Sequence, residues 1–318
     1  MGSGAAPMAP PRLVLILSEN HTLVPARDLR ALVSMAVEAE EAGFDAVMVS
    51  EHVVLGPGAD SDGRPENTRD YALPFNQDPA TPWPDALVLL SAVAARTTRI
   101  RIVASSIIAP LRHPLLLAKQ LATLDLLSEG RLVVQPTVSW HRAEYAALGV
   151  PFERRGEFLD EHLEAWRVLW RGTPASFEGR RYAFRDVSLE PKPFRPQGPP
   201  LWFGGETVHD ALLRRLVGYG SGFNPLGVPT DDDLERLRRA MTEAGRGPGE
   251  LEMVGGTRGR FPDVSSVADL DEALASIPAQ VARGFTTICV KPSQFLDEPG
   301  RFGDWCREVV ERVAALPQ

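Results

Sequence analysis

Short apolar runs alternate with amphipathic segments along most of the chain. Arg12–Leu17 (RLVLIL) and Phe44–Ser50 (FDAVMVS) are nearly continuous apolar runs, as expected for strands that are buried on both faces. Between them, Ala26–Ala42 has apolar residues at helical spacing and is followed by Gly43, a residue that commonly ends helices. Two buried strands joined by a helix predict a parallel pair with a right-handed crossover.

The same alternation continues to the end of the chain. Eight strands that alternate with helices are typical of an α/β protein with a (β/α)₈ TIM-barrel fold. We therefore predict one barrel domain over residues 12–318, after a disordered tail of residues 1–11. The six further strands are predicted at Arg99–Val103, Arg131–Val138, Leu201–Gly205, Gly222–Asn224, Leu251–Gly255 and Thr286–Lys291, with helices that include Asp85–Ala95, Glu157–Trp170, Val208–Val217 and Asp231–Ala244.

Two long segments interrupt the regular alternation. Leu55–Trp83, after the second strand, is rich in Gly, Pro, Asp and Asn, with Tyr71 and Phe75 among them. An irregular loop of this length inside a compact domain is uncommon and usually functional. It is either a lid or substrate wall, or an excursion over the surface. Phe177–Pro200, before the fifth strand, is proline-rich and is predicted to be partly a hairpin.

Composition narrows the classes of function. The chain has 318 residues, 44% of them hydrophobic and 24% charged, as in a globular protein. Its formal net charge of -8 argues against nucleic acid or an anionic membrane as the main partner. Cys289 and Cys306 make no disulfide framework, and no signal peptide or membrane-spanning run is visible, so we expect a cytoplasmic protein. The scattered histidines form no metal-binding motif.

A few polar residues follow predicted strands, where barrel enzymes keep their chemistry. Glu51 and His52 follow the second strand, and an imidazole can accept or donate a proton near neutral pH, although a lone histidine is often structural. Gly204–Thr207 lies between a strand and a helix, where free backbone amides suit a phosphate. Lys291 is the one strand-end lysine that a phosphate-handling isomerase or aldolase could use as a base.

One string is more specific than these single residues. Residues 110–131 read P-x-R-H-P-x-x-x-A-K-x-x-A-T-x-D-x-x-S-x-G-R, and they strongly resemble bacterial luciferase-like monooxygenases. That group includes flavin-dependent and deazaflavin (coenzyme F-420)-dependent oxidoreductases. The resemblance extends from Arg12 to about Lys291 and is densest between Arg99 and Gly205. It implies a (β/α)₈ barrel with a non-covalent cofactor at the carboxyl ends of the strands.

The resemblance also implies roles for particular residues. Glu51 and His52 match an acidic residue and a histidine that line the flavin-type ring, and Trp140 matches a site that faces the same pocket. After Ser105, the bond Ser106–Ile107 matches a non-prolyl cis peptide that forms a bulge beneath the ring. Glu144 matches a recurrent glutamate with a structural role.

The remaining implied contacts concern the rest of the cofactor. Gly204, Gly205, Glu206 and Thr207 match a loop that contacts the cofactor phosphate. Arg112 is the principal candidate to receive the acidic tail of a deazaflavin, together with His113, Arg64 and Arg69. Gln135–Pro136–Thr137 departs from the glycine-rich string of relatives, which puts cofactor placement beside Thr137 in doubt.

The favoured function is that of an oxidoreductase in which a deazaflavin exchanges a hydride with a small organic substrate, with His52 as the proton donor or acceptor. The first alternative is an FMN-dependent monooxygenase that uses reduced flavin and oxygen. A second alternative, from another class, is a barrel that has lost cofactor chemistry and acts as a binding or non-redox protein. The resemblance also implies a homodimer.

Overall fold

Eight parallel strands form a nearly closed barrel in the structure, a computed structural model that describes residues 9–317. The barrel strands follow the order β4-β3-β2-β1-β10-β9-β8-β7, and Val134 of β4 closes the ring by donating to the Pro200 carbonyl at 3.0 Å. The predicted (β/α)₈ fold is therefore confirmed. The strands are β1 Arg12–Ile16, β2 Ala46–Val49, β3 Arg101–Ile108, β4 Leu132–Thr137, β5 Ala175–Glu178, β6 Ala183–Val187, β7 Trp202–Phe203, β8 Gly222–Phe223, β9 Glu252–Gly256 and β10 Thr287–Val290.

Helices surround the barrel on its outer face. The first helix begins at Leu29, later than the predicted Ala26, because the Asp28 side chain accepts a hydrogen bond from Ala31 N and so caps it. Gly43 ends the helix in a left-handed conformation (φ 103°), as predicted. The helices are α1 Leu29–Ala42, α2 Ala86–Arg96, α3 Pro114–Leu127, α4 Arg142–Ala147, α5 Arg155–Arg171, α6 Asp210–Tyr219, α7 Asp231–Glu243, α8 Leu270–Leu274, α9 Ile277–Ala282 and α10 Phe302–Ala314.

Two hydrophobic clusters stabilise this arrangement. The larger fills the space between the strands and the helices, and the smaller fills the inside of the barrel around the fully buried Trp202. At the amino ends of the strands, Arg101 binds Glu252 through two hydrogen bonds of 2.9 Å, and its guanidinium lies 5.4 Å from the Trp202 ring centre. The amino end of the barrel is thus filled by side chains, which leaves the carboxyl end for chemistry.

The two predicted interruptions are present. Residues 50–85 contain no helix or strand and connect β2 to α2. The excursion before β7 contains the antiparallel hairpin of β5 and β6, as expected. Of the predicted tail, residues 1–8 lie outside the described residues. No helix within residues 9–317 is long and apolar enough to cross a membrane. The cytoplasmic location and the homodimer remain predictions.

Candidate active site

The long segment of residues 50–85 crosses the carboxyl end of the barrel. Its Tyr71 hydroxyl donates to the Thr257 carbonyl beyond β9 at 3.1 Å. Its Asp70 carboxylate accepts two hydrogen bonds, of 2.7 and 3.1 Å, from Arg258. A segment that leaves β2 and is bound on the far side, next to β9, covers the barrel mouth. This geometry favours the lid interpretation over the surface excursion.

His52 lies at the start of this segment, directly after β2, and is oriented by Glu144. The imidazole Nδ1 is 3.2 Å from Oε2 of Glu144, whose other oxygen accepts from the backbone N–H of Val53 at 2.6 Å. Because a carboxylate only accepts, it favours the tautomer with the proton on Nδ1. The other ring nitrogen, Nε2, has no hydrogen-bond partner within residues 9–317. His52 is therefore held in one orientation with one nitrogen available for proton transfer.

Aromatic rings enclose the same imidazole. Trp83 and Trp140 contact it edge-on, with centroid distances of 5.3 and 5.7 Å, and Phe75 of the lid lies 4.8 Å from the Trp140 ring. His52 is 9% exposed as a result. Electrostatic interactions strengthen where water is excluded, so a proton donor or acceptor here acts in a medium of low dielectric constant.

Glu51 forms a buried ion pair with Arg112. The guanidinium donates to both carboxylate oxygens at 2.6 and 2.9 Å, and the Ile108 N–H donates to the same carboxylate at 3.0 Å. Burial opposes the charge on Arg112, but the hydrogen bonds and attraction of Glu51 and Asp85 raise the pKa of the guanidinium. The pair therefore joins the end of β2 to the turn after β3, and the Arg112 charge is neutralised within the protein.

With its charge neutralised by Glu51, Arg112 is a weaker candidate for the cofactor tail than the sequence indicates, and that role remains a prediction. The other three candidates for the cofactor tail also have partners within the protein. Arg64 binds Asp78 at 2.7 Å and Arg69 binds Asp297 at 2.5 Å. His113 caps α3, where its Nδ1 accepts from the Leu115 N–H at 3.3 Å. None of the four proposed tail cations is free of an internal partner.

A bulge interrupts β3 where the sequence places the serine pair. The pairing of β3 with β4 passes from Ser105 opposite Gln135 to Ile107 opposite Pro136, which leaves Ser106 unpaired. The non-prolyl cis peptide is Ser105–Ser106, so the predicted position, Ser106–Ile107, is wrong by one bond. The cis bond therefore directly precedes Ser106, the unpaired residue. Pro136 has no N–H to donate, and a strand interior tolerates proline at such a bulge.

A second polar group lies at this end of the barrel and, among the described residues, shares no hydrogen bond with His52. Gln135 Oε1 accepts hydrogen bonds from Ser105 Oγ and Asn224 Nδ2, both at 2.8 Å. Gly204 packs against it so closely that a Cβ there would lie 1.7 Å from the Asn224 carbonyl oxygen. Gln135 thus fills space that a glycine would leave open, and Thr137 ends the strand beyond it.

The loop after β7 differs from the prediction. Helix α6 begins at Asp210 rather than Val208, and the His209 side chain caps it by accepting from the Leu212 N–H at 3.2 Å. Gly205 is half-buried, whereas Glu206 and Thr207 are exposed. These residues form a loop ahead of the helix, so the expected helix-start amides are not at Gly204–Thr207. Contact with a phosphate through the loop's own backbone remains a prediction.

Two residues at the barrel mouth, Glu19 and Lys291, were not among the residues predicted to contact the cofactor. Glu19, directly after β1, is close enough to His52 and Lys291 for both charges to lower its pKa, although burial raises it more. Lys291, directly after β10, is fully buried. Three of the five described non-glycine residues with positive φ lie around this mouth, namely Glu19 (58°), Phe75 (64°) and Ser139 (56°). Strained backbone of this kind clusters at functional sites.

The residues present fit a flavin-type ring. The lid and strand ends supply aromatic walls, and two buried polar atoms there, Trp83 Nε1 and Ser139 Oγ, have no hydrogen-bond partner within residues 9–317. A ring with carbonyl groups offers acceptors for such donors. Within the same residues, no group of three or more His, Cys, Asp or Glu side chains could hold a metal ion.

Comparison with known proteins gives a family match. The profile of the family described as luciferase-like monooxygenase matches residues 11–274. The chain is 35% identical over 213 residues to an uncharacterised protein of Mycobacterium tuberculosis, covering 65% of this chain and 72% of that protein. It is 30% identical over 229 residues to an F420-dependent glucose-6-phosphate dehydrogenase of Kineococcus radiotolerans (70% and 61%). It is 28% identical over 212 residues to an FMNH(2)-dependent dimethylsulfone monooxygenase of Pseudomonas putida (65% and 52%).

Solved structures have the same fold at low sequence identity. The monooxygenase RslO1 of Streptomyces bottropensis superposes with a TM-score of 0.70 at 21% identity, covering 95% of this chain and 99% of that one. The coenzyme F420-dependent tetrahydromethanopterin reductase of Methanopyrus kandleri gives 0.69 at 14% identity, covering 96% and 100%. At these identities the likeness shows a shared fold alone.

Proposed function

We propose, since this chain belongs to the luciferase-like monooxygenase family, that it binds a deazaflavin non-covalently at the carboxyl ends of its strands and exchanges a hydride with a small organic substrate. Relatives in the family use either the deazaflavin or FMN. The long segment after β2 and the deazaflavin-dependent relative support the first cofactor.

The observation on which the proposal rests is the orientation of His52. Hydride transfer to a carbonyl carbon, or from an alcohol carbon, requires that a proton be given to or taken from the substrate oxygen. His52 is fixed by Glu144 at Nδ1 and has Nε2 without a partner among the described residues, as a general acid or base needs. When bound, the deazaflavin supplies the hydride donor or acceptor.

The surrounding residues have supporting roles in this proposal. Glu144 holds the His52 tautomer and stabilises the imidazolium that forms when Nε2 takes a proton. Trp83 and Trp140 hold the imidazole edge-on and exclude water from it. The Glu51–Arg112 pair fixes the ends of β2 and β3 relative to each other.

The FMN-dependent monooxygenase is the second candidate, and one observation favours it. The arginines expected to receive the acidic tail of a deazaflavin already bind carboxylates, as Arg64 does with Asp78 and Arg69 with Asp297. FMN has no such tail. If the deazaflavin is the cofactor, its tail contributes little through these arginines, and any weakening of binding by salt is small.

Anaerobic turnover tests the proposal. The purified chain is incubated with the oxidised deazaflavin and a panel of small alcohols, and the absorbance of the oxidised cofactor is followed. We expect at least one alcohol to bleach the cofactor in the wild type and not in His52→Ala. His209→Ala, which changes an exposed histidine that caps α6, is the matched control. Oxygen consumption with reduced FMN, without deazaflavin turnover, would contradict the proposal.

A further inference from the structure

Lys291 is buried with only part of its hydrogen-bonding capacity used. Its side chain is fully buried, and its Nζ donates at 2.8 Å to the backbone carbonyl of Asp70 in the lid. An ammonium has three N–H donors, and within residues 9–317 no other acceptor and no ion-pair partner is present. Burial of an amine in this way is costly unless a ligand or partner satisfies the remaining donors.

The charges around Lys291 come from three elements. Glu19 and His21 lie after β1, and Asp70 lies in the lid, where Arg258 already binds its carboxylate. Burial lowers the pKa of Lys291, although attraction to Glu19 and Asp70 opposes the change. Burial also raises the pKa of the Glu19 carboxyl. Both shifts favour the neutral forms of the two groups, so an anion that binds here should favour the charged form of Lys291 and the protonated form of Glu19.

The lid covers this pair with backbone groups. The Asp70 carbonyl accepts from Lys291, and the Ala72 N–H hydrogen-bonds the Glu19 carboxyl. The Tyr71 ring between them lies 5.4 Å from the Lys291 nitrogen. One peptide segment therefore presents an acceptor to the amine and a donor to the carboxyl. The carboxylate of a small organic acid would replace the Asp70 carbonyl as the acceptor for Lys291 and would add a full negative charge, and a protonated Glu19 could donate to its second oxygen.

We propose that Lys291 binds the carboxylate of the substrate, and that the substrate is a small organic acid whose reacting carbon lies towards His52. This inference deepens the proposed function and rests on it, because it names the substrate class of the same site. Lys291, Glu19 and His52 follow the neighbouring parallel strands β10, β1 and β2, so the two ends of such a substrate would lie on either side of Glu19. The lid segment at Asp70 lifts to admit the ligand, since Lys291 is otherwise covered.

The lysine content of the chain makes a direct test possible. Only Lys119, Lys192 and Lys291 are present, so protein with carbon-13-labelled lysine gives three side-chain CεH₂ signals in a proton–carbon NMR spectrum. Benzoate serves as the probe acid and benzamide as its uncharged counterpart. We expect benzoate to shift the Lys291 signal saturably and to raise the pH at which Lys291 titrates. Benzamide should bind at least about tenfold more weakly, because it lacks the charge.

Variants and a separate cofactor titration complete the test. Lys291→Met should remove benzoate binding, whereas Lys119→Arg, which changes a half-buried lysine of α3, should keep it. The comparison of benzoate with benzamide on the wild type needs no variant, so the inference can be refuted even if Lys291→Met does not fold. Equal binding of both probes, or no saturable shift of Lys291, would overturn it. Benzoate binding without deazaflavin binding would overturn the proposed cofactor and leave the acid site in place.

Discussion

Removal of the Arg112 guanidinium is expected to destabilise the fold far more than removal of a surface arginine. Arg112→Ala leaves the Glu51 carboxylate, which is 1% exposed, without its counter-ion and without two hydrogen bonds of 2.6 and 2.9 Å. Breaking a buried ion pair from one side costs about 3–5 kcal/mol, because the remaining charge stays buried and unpaired.

Urea unfolding of the purified variants, followed by circular dichroism, measures this cost. With a slope of about 3 kcal/mol per molar urea, the loss lowers the midpoint by roughly 1–1.7 M. Arg64→Ala is the matched control, because Arg64 and its partner Asp78 are 55% and 42% exposed. Exposed pairs contribute about 0–1 kcal/mol, so the midpoint of the control should scarcely move.

A second comparison separates the ion pair from packing. If the pair is responsible, adding Glu51→Gln to Arg112→Ala should recover part of the lost stability, because no buried charge is then left over. Equal midpoints for Arg112→Ala and Arg64→Ala would refute this reasoning. They would also favour the prediction that Arg112 binds the cofactor's acidic tail.

Three further outcomes follow from the structure. Gly204→Ala should lose about 3 kcal/mol or more in the same unfolding assay, because its Cβ would lie 1.7 Å from the Asn224 oxygen. Gly205→Ala, with its nearest atom at 3.6 Å, should be tolerated; equal losses would show that the close approach is not limiting. His52→Ala should lower turnover by roughly 10²-fold or more with the fold intact, and near wild-type turnover would make His52 structural. Burial raises the pKa of Glu252, but hydrogen bonds and charge from Arg101 outweigh it, so the folded pKa lies below the ordinary value of 4.5. Glu252 therefore stabilises the protein above pH 4.5, and this contribution is lost as the pH falls through the folded pKa. The urea midpoint should thus fall more steeply in acid for the wild type than for Glu252→Gln. Parallel curves for the two proteins would contradict this.

The barrel could be predicted because each of its strands corresponds to a short apolar run that is visible in the sequence. Strand β3 shows where such patterns become insufficient. Its alternating apolar run ends at Val103, but the strand continues to Ile108 through the polar residues Ser105 and Ser106. The bulge keeps the strand paired with β4 on both sides of Ser106, and that pairing depends on a neighbouring strand rather than on the run itself.

The sequence predicted site residues only where they directly follow a strand. Glu51 and His52 are in the expected place, but their partners are distant in sequence, because Glu144 is 92 residues from His52 and Arg112 is 61 from Glu51. For this reason the sequence offered Arg112 as a candidate for the cofactor's acidic tail and did not indicate its ion pair with Glu51. Lys291 lies near Glu19 because β10, the last strand, pairs with β1, the first strand, when the barrel closes. Their separation in the sequence does not indicate this contact.

The string that gave the family resemblance is largely structural. Arg131, at its end, donates to the carbonyl groups of Ala94, Thr97 and Ile100 and so joins α2 to the start of β3. Asp125 accepts from the Phe194 N–H at 2.9 Å and holds the excursion before β7. The family match confirms the resemblance. A specific motif can nevertheless consist of residues that stabilise the fold as well as residues of the active site.

Equilibrium titration of the purified chain with the oxidised deazaflavin and, separately, with FMN tests the central claim most directly. Quenching of tryptophan fluorescence can report binding, since Trp83 and Trp140 contact His52 at the barrel mouth. Saturable binding of the deazaflavin, with FMN binding much more weakly, is the predicted result. Tight binding of FMN without binding of the deazaflavin would contradict it and indicate the monooxygenase, and binding of neither would indicate a barrel without cofactor chemistry.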